Sequence, residues 1–146
     1  MRFTALLLTS FALFLCGVLP AVGAQPPATP AAAKNRVVMQ VSDNDPGKWN
    51  LALNNARNLQ TDLGRDSVEI ELVVYGPGIG MLKRDSVVAG RIADAMNAGV
   101  GVVACENTMA GQKLGKEDML PKIGYVQAGV VEIMQKQQQG YAYLRP

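Results

Sequence analysis

The fold of this 146-residue chain is decided by the stretch Gly99-Val100-Gly101-Val102-Val103-Ala104-Cys105-Glu106-Asn107-Thr108-Met109. Its first half is short, apolar and β-branched, which is typical of a buried strand, and its second half favours the start of a helix. Cys105 stands where one pattern gives way to the other. The ends of parallel strands open on a crevice, and the N–H groups of a following helix favour a thiolate. The stretch therefore predicts either a reactive thiol or a small buried side chain at a strand end.

Strand and helix patterns alternate on both sides of this stretch. Strands are expected at 36–41, 67–75, 125–128 and, as an edge strand, 141–144; helices are expected at about 48–63, 86–97 and 130–139, with short helical pieces at 109–114 and 116–120. The glutamine-rich run 135–139 is interpreted as the solvated end of the last helix. This alternation predicts an α/β fold, a three-layer sandwich with a mostly parallel sheet of about five strands and helices on both faces.

The first 24 residues have the pattern of a secretory signal peptide. Arg2 precedes an apolar stretch that is too short for a stable membrane anchor and that ends in small residues. A lipoprotein signal would use Cys16, but Leu15 precedes it where a small residue is needed. We therefore expect an exported protein, periplasmic or secreted, with no stable membrane span once the signal is cleaved.

The remaining sequence predicts a Pro- and Ala-rich leader at 25–35 and a single domain at 36–146. The chain carries 14 Lys and Arg against 12 Asp and Glu, without a long run of one sign, which argues against binding of nucleic acid. It has no histidine, so zinc and non-haem iron sites are poorly provided for. We expect neither a metal nor a cofactor. After signal cleavage Cys105 would have no internal disulfide partner, so it must be shielded or used.

A glycine-rich loop, Gly76-Pro77-Gly78-Ile79-Gly80, follows the second predicted strand. It is interpreted as a turn through which neither strand nor helix continues. Because the carboxyl ends of parallel strands meet at one edge, we expect this loop to share a crevice with Cys105. Gly76 and Gly78 would let N–H groups approach a bound anion. A nucleotide site is disfavoured, because the loop follows the second strand and Met81 replaces the third glycine of a dinucleotide fingerprint.

Three polar residues directly after Cys105 are candidate site residues. A helix that begins near Asn107 or Thr108 would lower the pKa of the thiol. The Glu106 carboxylate would raise that pKa if it pointed inward, or could serve as a proton acceptor. Cys105 and Met109 are spaced to meet as soft ligands for Cu(I), but two ligands are too few to define such a site.

A row of asparagines marks one face of the first predicted helix. Asn50, Asn54 and Asn58 recur every four residues, although asparagine costs about 0.5 kcal/mol or more relative to alanine in a helix. Our hypothesis is that the row faces another subunit or the crevice, where the amides can pair. The alternative is a solvated polar face.

Five blocks of sequence, taken in order, resemble the DsrE/DsrF-like family over nearly all of residues 36–146. They are Gln40-Val41-Ser42-Asp43, Trp49-Asn50-Leu51-Ala52-Leu53-Asn54-Asn55, Val74-Tyr75-Gly76-Pro77-Gly78, Ala104-Cys105-Glu106-Asn107-Thr108-Met109 and Gly129-Val130-Val131-Glu132-Ile133. The resemblance implies a compact α/β domain that assembles into trimers or hexamers. In some members a cysteine carries sulfane sulfur as a persulfide, and only Cys105 matches that role.

Two functions follow as expectations. The first is an exported sulfur-handling protein, a carrier or sulfurtransferase, in which Cys105 accepts sulfane sulfur and passes it to an unidentified partner protein. The best-understood members of the family act in the cytoplasm, so an exported member would have other partners. The second is a non-catalytic, homo-oligomeric binding or assembly module in which Cys105 is structural.

Overall fold

The computed structural model describes residues 34–146. The expected signal peptide, with Cys16, and most of the leader lie outside the described residues. The described part contains β1 Asn35–Val41, α1 Pro46–Leu63, β2 Val68–Val74, α2 Ala89–Asn97, β3 Gly101–Cys105, α3 Glu106–Gly111, β4 Gly124–Val126, α4 Gly129–Gln138 and β5 Ala142–Leu144. No helix in this part has the length and apolar character needed to cross a bilayer.

All five strands form one parallel sheet in the order β4-β3-β2-β1-β5. The expected α/β class and the mostly parallel five-stranded sheet are confirmed. The register pairs Val41 with Val74 and Val74 with Ala104. The ends of β1, β2 and β3 are therefore level, and Tyr75 and Cys105 lie side by side at the carboxyl edge.

Helices cover both faces of the sheet, as the sequence predicted. Strand residues alternate in direction, so each strand contributes to two cores. The larger core lies under α1 and α2, and its largest fully buried side chains are Met39, Leu72, Ile79, Met81, Leu82, Ile92 and Met119. The smaller core lies under α4 and contains Val38, Val73, Ile133 and Tyr141. The three layers are therefore α1 with α2, the sheet, and α4.

The first helix begins two residues earlier than its apolar periodicity indicates. The Asp45 side chain caps it by accepting a hydrogen bond of 2.7 Å from the Gly47 N–H, and Pro46 occupies the first turn, where its missing N–H costs nothing. Gly64, with a φ of 86°, follows the last residue. The buried face consists of Trp49, Ala52, Leu53 and Ala56.

One local interpretation was wrong, and a second holds except at one residue. Residues Gly76–Leu82 form a 3₁₀ helix rather than a simple turn, because Ile79, Met81 and Leu82 are apolar side chains that it buries in the larger core. The four glutamines of the run 135–139 are exposed, as the sequence predicted, but Lys136 is not. Lys136 lies within α4 with only 16% of its side chain exposed, because it pairs with Glu71 of β2.

Candidate functional site

The candidate site is the carboxyl end of β3, where Cys105 is the last strand residue and α3 begins at once with Glu106. Val102 and Ala104 point into the larger core, so strand alternation turns Cys105 towards the face covered by α4. The residue is only 5% exposed. It occupies the N-cap position of α3, with extended backbone angles of −77° and 113°. The sulfur therefore stands where an oxygen of serine or aspartate commonly caps a helix.

Thr108 connects the glycine loop to the sulfur. Its hydroxyl accepts a hydrogen bond of 2.9 Å from the Gly76 N–H, and it stabilises the thiolate of Cys105 by donating towards it. Gly76 has a φ of 56°, a left-handed conformation that glycine adopts at no steric cost. The structure thus brings three of the predicted site residues together: the Gly76 N–H donates to the Thr108 hydroxyl, and that hydroxyl favours the thiolate of Cys105.

The pKa of Cys105 is lower than its ordinary value. Burial alone would raise the pKa, but the Thr108 hydroxyl and the backbone N–H groups of Gly129, Thr108 and Asn107 favour the thiolate and outweigh burial. Gly129 is the first residue of α4, and Ala128 before it offers no side-chain cap. The amino ends of α3 and α4 therefore both begin at this sulfur, and both stabilise negative charge.

The protonated thiol also has a partner. Its Sγ lies 3.8 Å from the backbone oxygen of Gln127, which also accepts a hydrogen bond of 3.1 Å from the Asn107 N–H. The Gln127 side-chain amide in turn donates to Asn107 Oδ1 at 2.6 Å. Asn107 therefore ties the start of α3 to the segment that leads into α4, and this keeps both helix ends at the sulfur.

Glu106 and Met109 are directed to other partners. Glu106 forms an ion pair of 3.4 Å with Lys116, whose ammonium group also lies 4.4 Å from the centre of the Tyr125 ring. Met109 is buried among the apolar side chains of the larger core. Within residues 34–146 no cluster of three or more His, Cys, Asp or Glu residues has the arrangement of a metal site.

Gly78 has a structural role: it lets the loop after β2 pack closely against the end of β1. Its N–H lies 3.1 Å from both the Ser42 and the Tyr75 oxygen, so it is committed to protein acceptors. A Cβ at this position would lie 2.6 Å from the Val41 oxygen. Gly78 thus holds the loop against the end of β1, and of the two predicted glycines only Gly76 acts on the sulfur, through Thr108.

Sequence reasoning did not assign Tyr75 and Gly129 to the site. A Cβ on Gly129 would lie 3.0 Å from the Cβ of Tyr75, so only glycine lets α4 begin this close to the end of β2. Burial raises the pKa of Tyr75, and the nearby Tyr143 and Cys105 add to this rise while Arg145 opposes it. The available signal was topological, since Tyr75 follows β2 at the level where Cys105 ends β3.

The asparagine row lies away from the crevice. It is on α1, across the sheet from α4, and the amide oxygens of Asn50 and Asn54 both accept hydrogen bonds from Arg91 of α2, the second at 2.7 Å. Asn58 is exposed. The structure therefore does not bring the row to Cys105, and its role in contact with another subunit stays a prediction.

Replacing Thr108 tests the hydroxyl that supports the thiolate. In Thr108→Val we expect the pKa of Cys105 to rise and alkylation by iodoacetamide at pH 7 to slow several-fold, because the thiolate is the reactive form. The measurement is the pH midpoint of the alkylation rate, followed by intact-mass spectrometry. Thr108→Ser keeps the hydroxyl and should keep the midpoint near that of the wild type. An unchanged midpoint in Thr108→Val would show that the hydroxyl does not act on the sulfur.

Comparisons with known proteins give one family match and similar solved structures. A family model described as the DsrE/DsrF-like family matches residues 35–146. The chain is similar to a solved structure of a protein of unknown function, MTH1491 from Methanobacterium thermoautotrophicum, with 36% identity and a TM-score of 0.74 over 77% of this chain and 100% of that one. It also shares its fold with BT1422 from Bacteroides thetaiotaomicron, with 13% identity and a TM-score of 0.63 over 77% and 95% of the two chains. No curated protein matches the sequence.

Proposed function

Because this chain belongs to the DsrE/DsrF-like family, which is associated with sulfur relay, we propose that it is an exported sulfur carrier in which Cys105 holds sulfane sulfur as a persulfide. The observation that carries the proposal is the set of hydrogen-bond donors around the sulfur of Cys105. The hydroxyl of Thr108 and the N–H groups that begin α3 and α4 lower the pKa of Cys105. Such a site favours the thiolate that attacks and the persulfide anion that results.

The transfer needs no external oxidant. The Cys105 thiolate attacks the outer sulfur of a donor persulfide, a new S–S bond forms on Cys105, the S–S bond of the donor breaks, and the donor leaves as a thiolate. Within residues 34–146 there is no second cysteine. Cys105 therefore passes its sulfur to a thiolate of another molecule by the same exchange in reverse.

Location and assembly complete the proposal. The signal-like first 24 residues support export to the periplasm or beyond, which would place the donor and the acceptor there. The family resemblance supports a homo-oligomer, a trimer or hexamer, with the asparagine row of α1 as one candidate contact.

One observation favours the second candidate, a binding or assembly module with a structural cysteine. Cys105 is only 5% exposed, and a buried thiol is ordinarily inert. A carrier must therefore open locally, at the loop after β2 or at the start of α4, to admit a donor. A structural cysteine would react only when the domain unfolds.

Polysulfide loading separates the two functions. The purified protein is incubated with sodium polysulfide and then with dithiothreitol, and its intact mass is recorded at each step. We expect a reversible gain of one or more sulfur atoms that is absent in Cys105→Ser. The folded state is checked by circular dichroism in the same samples. A folded protein that gains no sulfur would contradict the carrier and support the module.

A further inference from the structure

A second site lies on the opposite face of the molecule, in a cleft of about 240 Å³ between α1 and α2. Its apolar wall includes Leu53, Ala56 and Val100, and the polar lining includes Arg57, Arg65, Arg91 and Asp94. Nothing in the sulfur-carrier function uses this cleft, because Cys105 lies across the sheet. The cleft combines a confined volume with an excess of cations.

The arginines of the cleft are not neutralised within the described chain. None of Arg57, Arg65 and Arg91 forms a salt bridge with a carboxylate in residues 34–146, where the ion pairs all involve other cations. Asp94 is the only acidic residue in the lining. Three guanidinium groups against one carboxylate leave the cleft with an excess of two positive charges.

Arg91 is held in place by neutral groups. Its guanidinium donates to the amide oxygens of Asn50 and Asn54, the second at 2.7 Å. Aspartate at these positions would orient the guanidinium equally well but would cancel its charge. The asparagines orient it and leave the charge intact, which gives a physical reason for keeping poor helix formers at two positions of α1.

We propose that this cleft binds a small oxyanion with two negative charges, in the chemical class of sulfate and hydrogen phosphate. Arginine matches such oxygens with paired N–H donors. The bound anion would balance the excess charge of the lining. The site requires no helix N-terminus and no metal, since its cations are arginine side chains contributed by α1, α2 and the turn after α1.

The test is an NMR titration of the intact folded protein with sodium sulfate and, separately, sodium phosphate at pH 7. Sodium chloride at matched ionic strength is the reference. We expect saturable shifts of the Arg91 Nε–H signal and of amides in α1 and α2 for both oxyanions. Linear shifts, or the same shifts with chloride, would mean screening by salt and would overturn the proposal.

Variants locate the binding. Arg57→Gln and Arg91→Gln should each weaken sulfate binding about ten-fold, the worth of one charge-assisted hydrogen bond. Asn54→Asp should weaken it as well, although every arginine is kept, because the new carboxylate cancels the charge of Arg91. Arg84→Gln is the matched control, since Arg84 bonds to the Glu117 oxygen outside the cleft. Equal losses in Arg57→Gln and Arg84→Gln would refute the site, and Cys105→Ser should bind as the wild type does.

Discussion

Lys136→Met should lower the free energy of unfolding by about 2–3 kcal/mol, because it leaves a largely buried carboxylate without its partner, and breaking a fully buried ion pair costs about 3–5 kcal/mol. The Lys136 ammonium lies 2.7 Å from Glu71 Oε2 and 3.7 Å from Glu132 Oε1, and it also lies 4.9 Å from the centre of the Tyr141 ring. The side chains of Lys136 and Glu71 are 16% and 15% exposed. Without the lysine, the Glu71 carboxylate would stay largely buried and would have lost the ammonium group that neutralises it.

The pKa directions indicate how this loss depends on pH. Burial raises the pKa of Glu71, whose Oε1 is buried without a hydrogen-bond partner, and the bond from Lys136 limits the rise. In Lys136→Met this bond is lost, so the pKa of Glu71 should rise further. A carboxyl whose pKa is higher in the folded than in the unfolded state destabilises the fold only when it is ionised. The destabilisation by the ionised Glu71 is therefore complete at pH values above the pKa of Glu71 in the folded state. It is absent at pH values below the pKa of glutamate in the unfolded state, about 4.3.

Denaturant unfolding of the wild type and Lys136→Met between pH 7 and pH 4 is the measurement. The deficit of the variant should shrink as the pH falls. Lys48→Met is the matched control, because Lys48 pairs with Asp43 at 3.0 Å on the surface, where solvent screens the two charges, so its loss should change the free energy of unfolding very little. The double variant Glu71→Leu with Lys136→Met should recover most of the loss, because it removes both charges. If Lys136→Met lost no more free energy of unfolding at pH 7 than Lys48→Met, the pair of Lys136 with Glu71 would be no stronger than a surface pair, which would contradict the prediction.

The order of strands and helices could be predicted from the sequence, because each element has a local signal. The apolar periodicity of α1 shows in four buried side chains over two turns, and Gly64 marks its end. The position of Cys105 at the end of β3 follows from the same kind of pattern. A parallel sheet then brings the loops after β2 and β3 to one edge, which is why Gly76 and Thr108 were found in the same site.

Contacts between distant residues were not visible in these patterns. The sequence predicts a solvated Lys136 because its neighbours are glutamines, but its partner Glu71 is 65 residues away. Asn50 and Arg91 are separated by 41 residues. Similarly, the contact of Gly129 with Tyr75 depends on how α4 crosses the sheet. Local patterns determine where an element runs, whereas the partners of its polar side chains depend on the packing of complete elements.

Gly78→Ala should lower the free energy of unfolding by about 2–3 kcal/mol, as overpacking of a rigid site does. The added Cβ would lie 2.6 Å from the Val41 oxygen and 3.0 Å from the Ser42 Cα. These are backbone atoms at the end of β1, which cannot turn aside as a flexible side chain can. The loop must therefore move away from β1 and weaken the bonds that the Gly78 N–H makes with the Ser42 and Tyr75 oxygens.

The same displacement of the loop should also lower the reactivity of the Cys105 thiol. The Gly76 N–H donates to the Thr108 hydroxyl, so a shifted loop would leave that hydroxyl less well oriented towards Cys105, and alkylation at pH 7 should slow. Gly90→Ala is the control for stability, because nothing lies within 4 Å of its added Cβ. Gly90 is the second residue of α2, where alanine should be neutral or slightly stabilising relative to glycine, so Gly78→Ala should be clearly less stable than Gly90→Ala in denaturant unfolding. If Gly78→Ala were as stable as the wild type and its thiol reacted at the same rate, this would contradict the prediction. The Thr108 hydroxyl would then be positioned by something other than the close packing of this loop on β1.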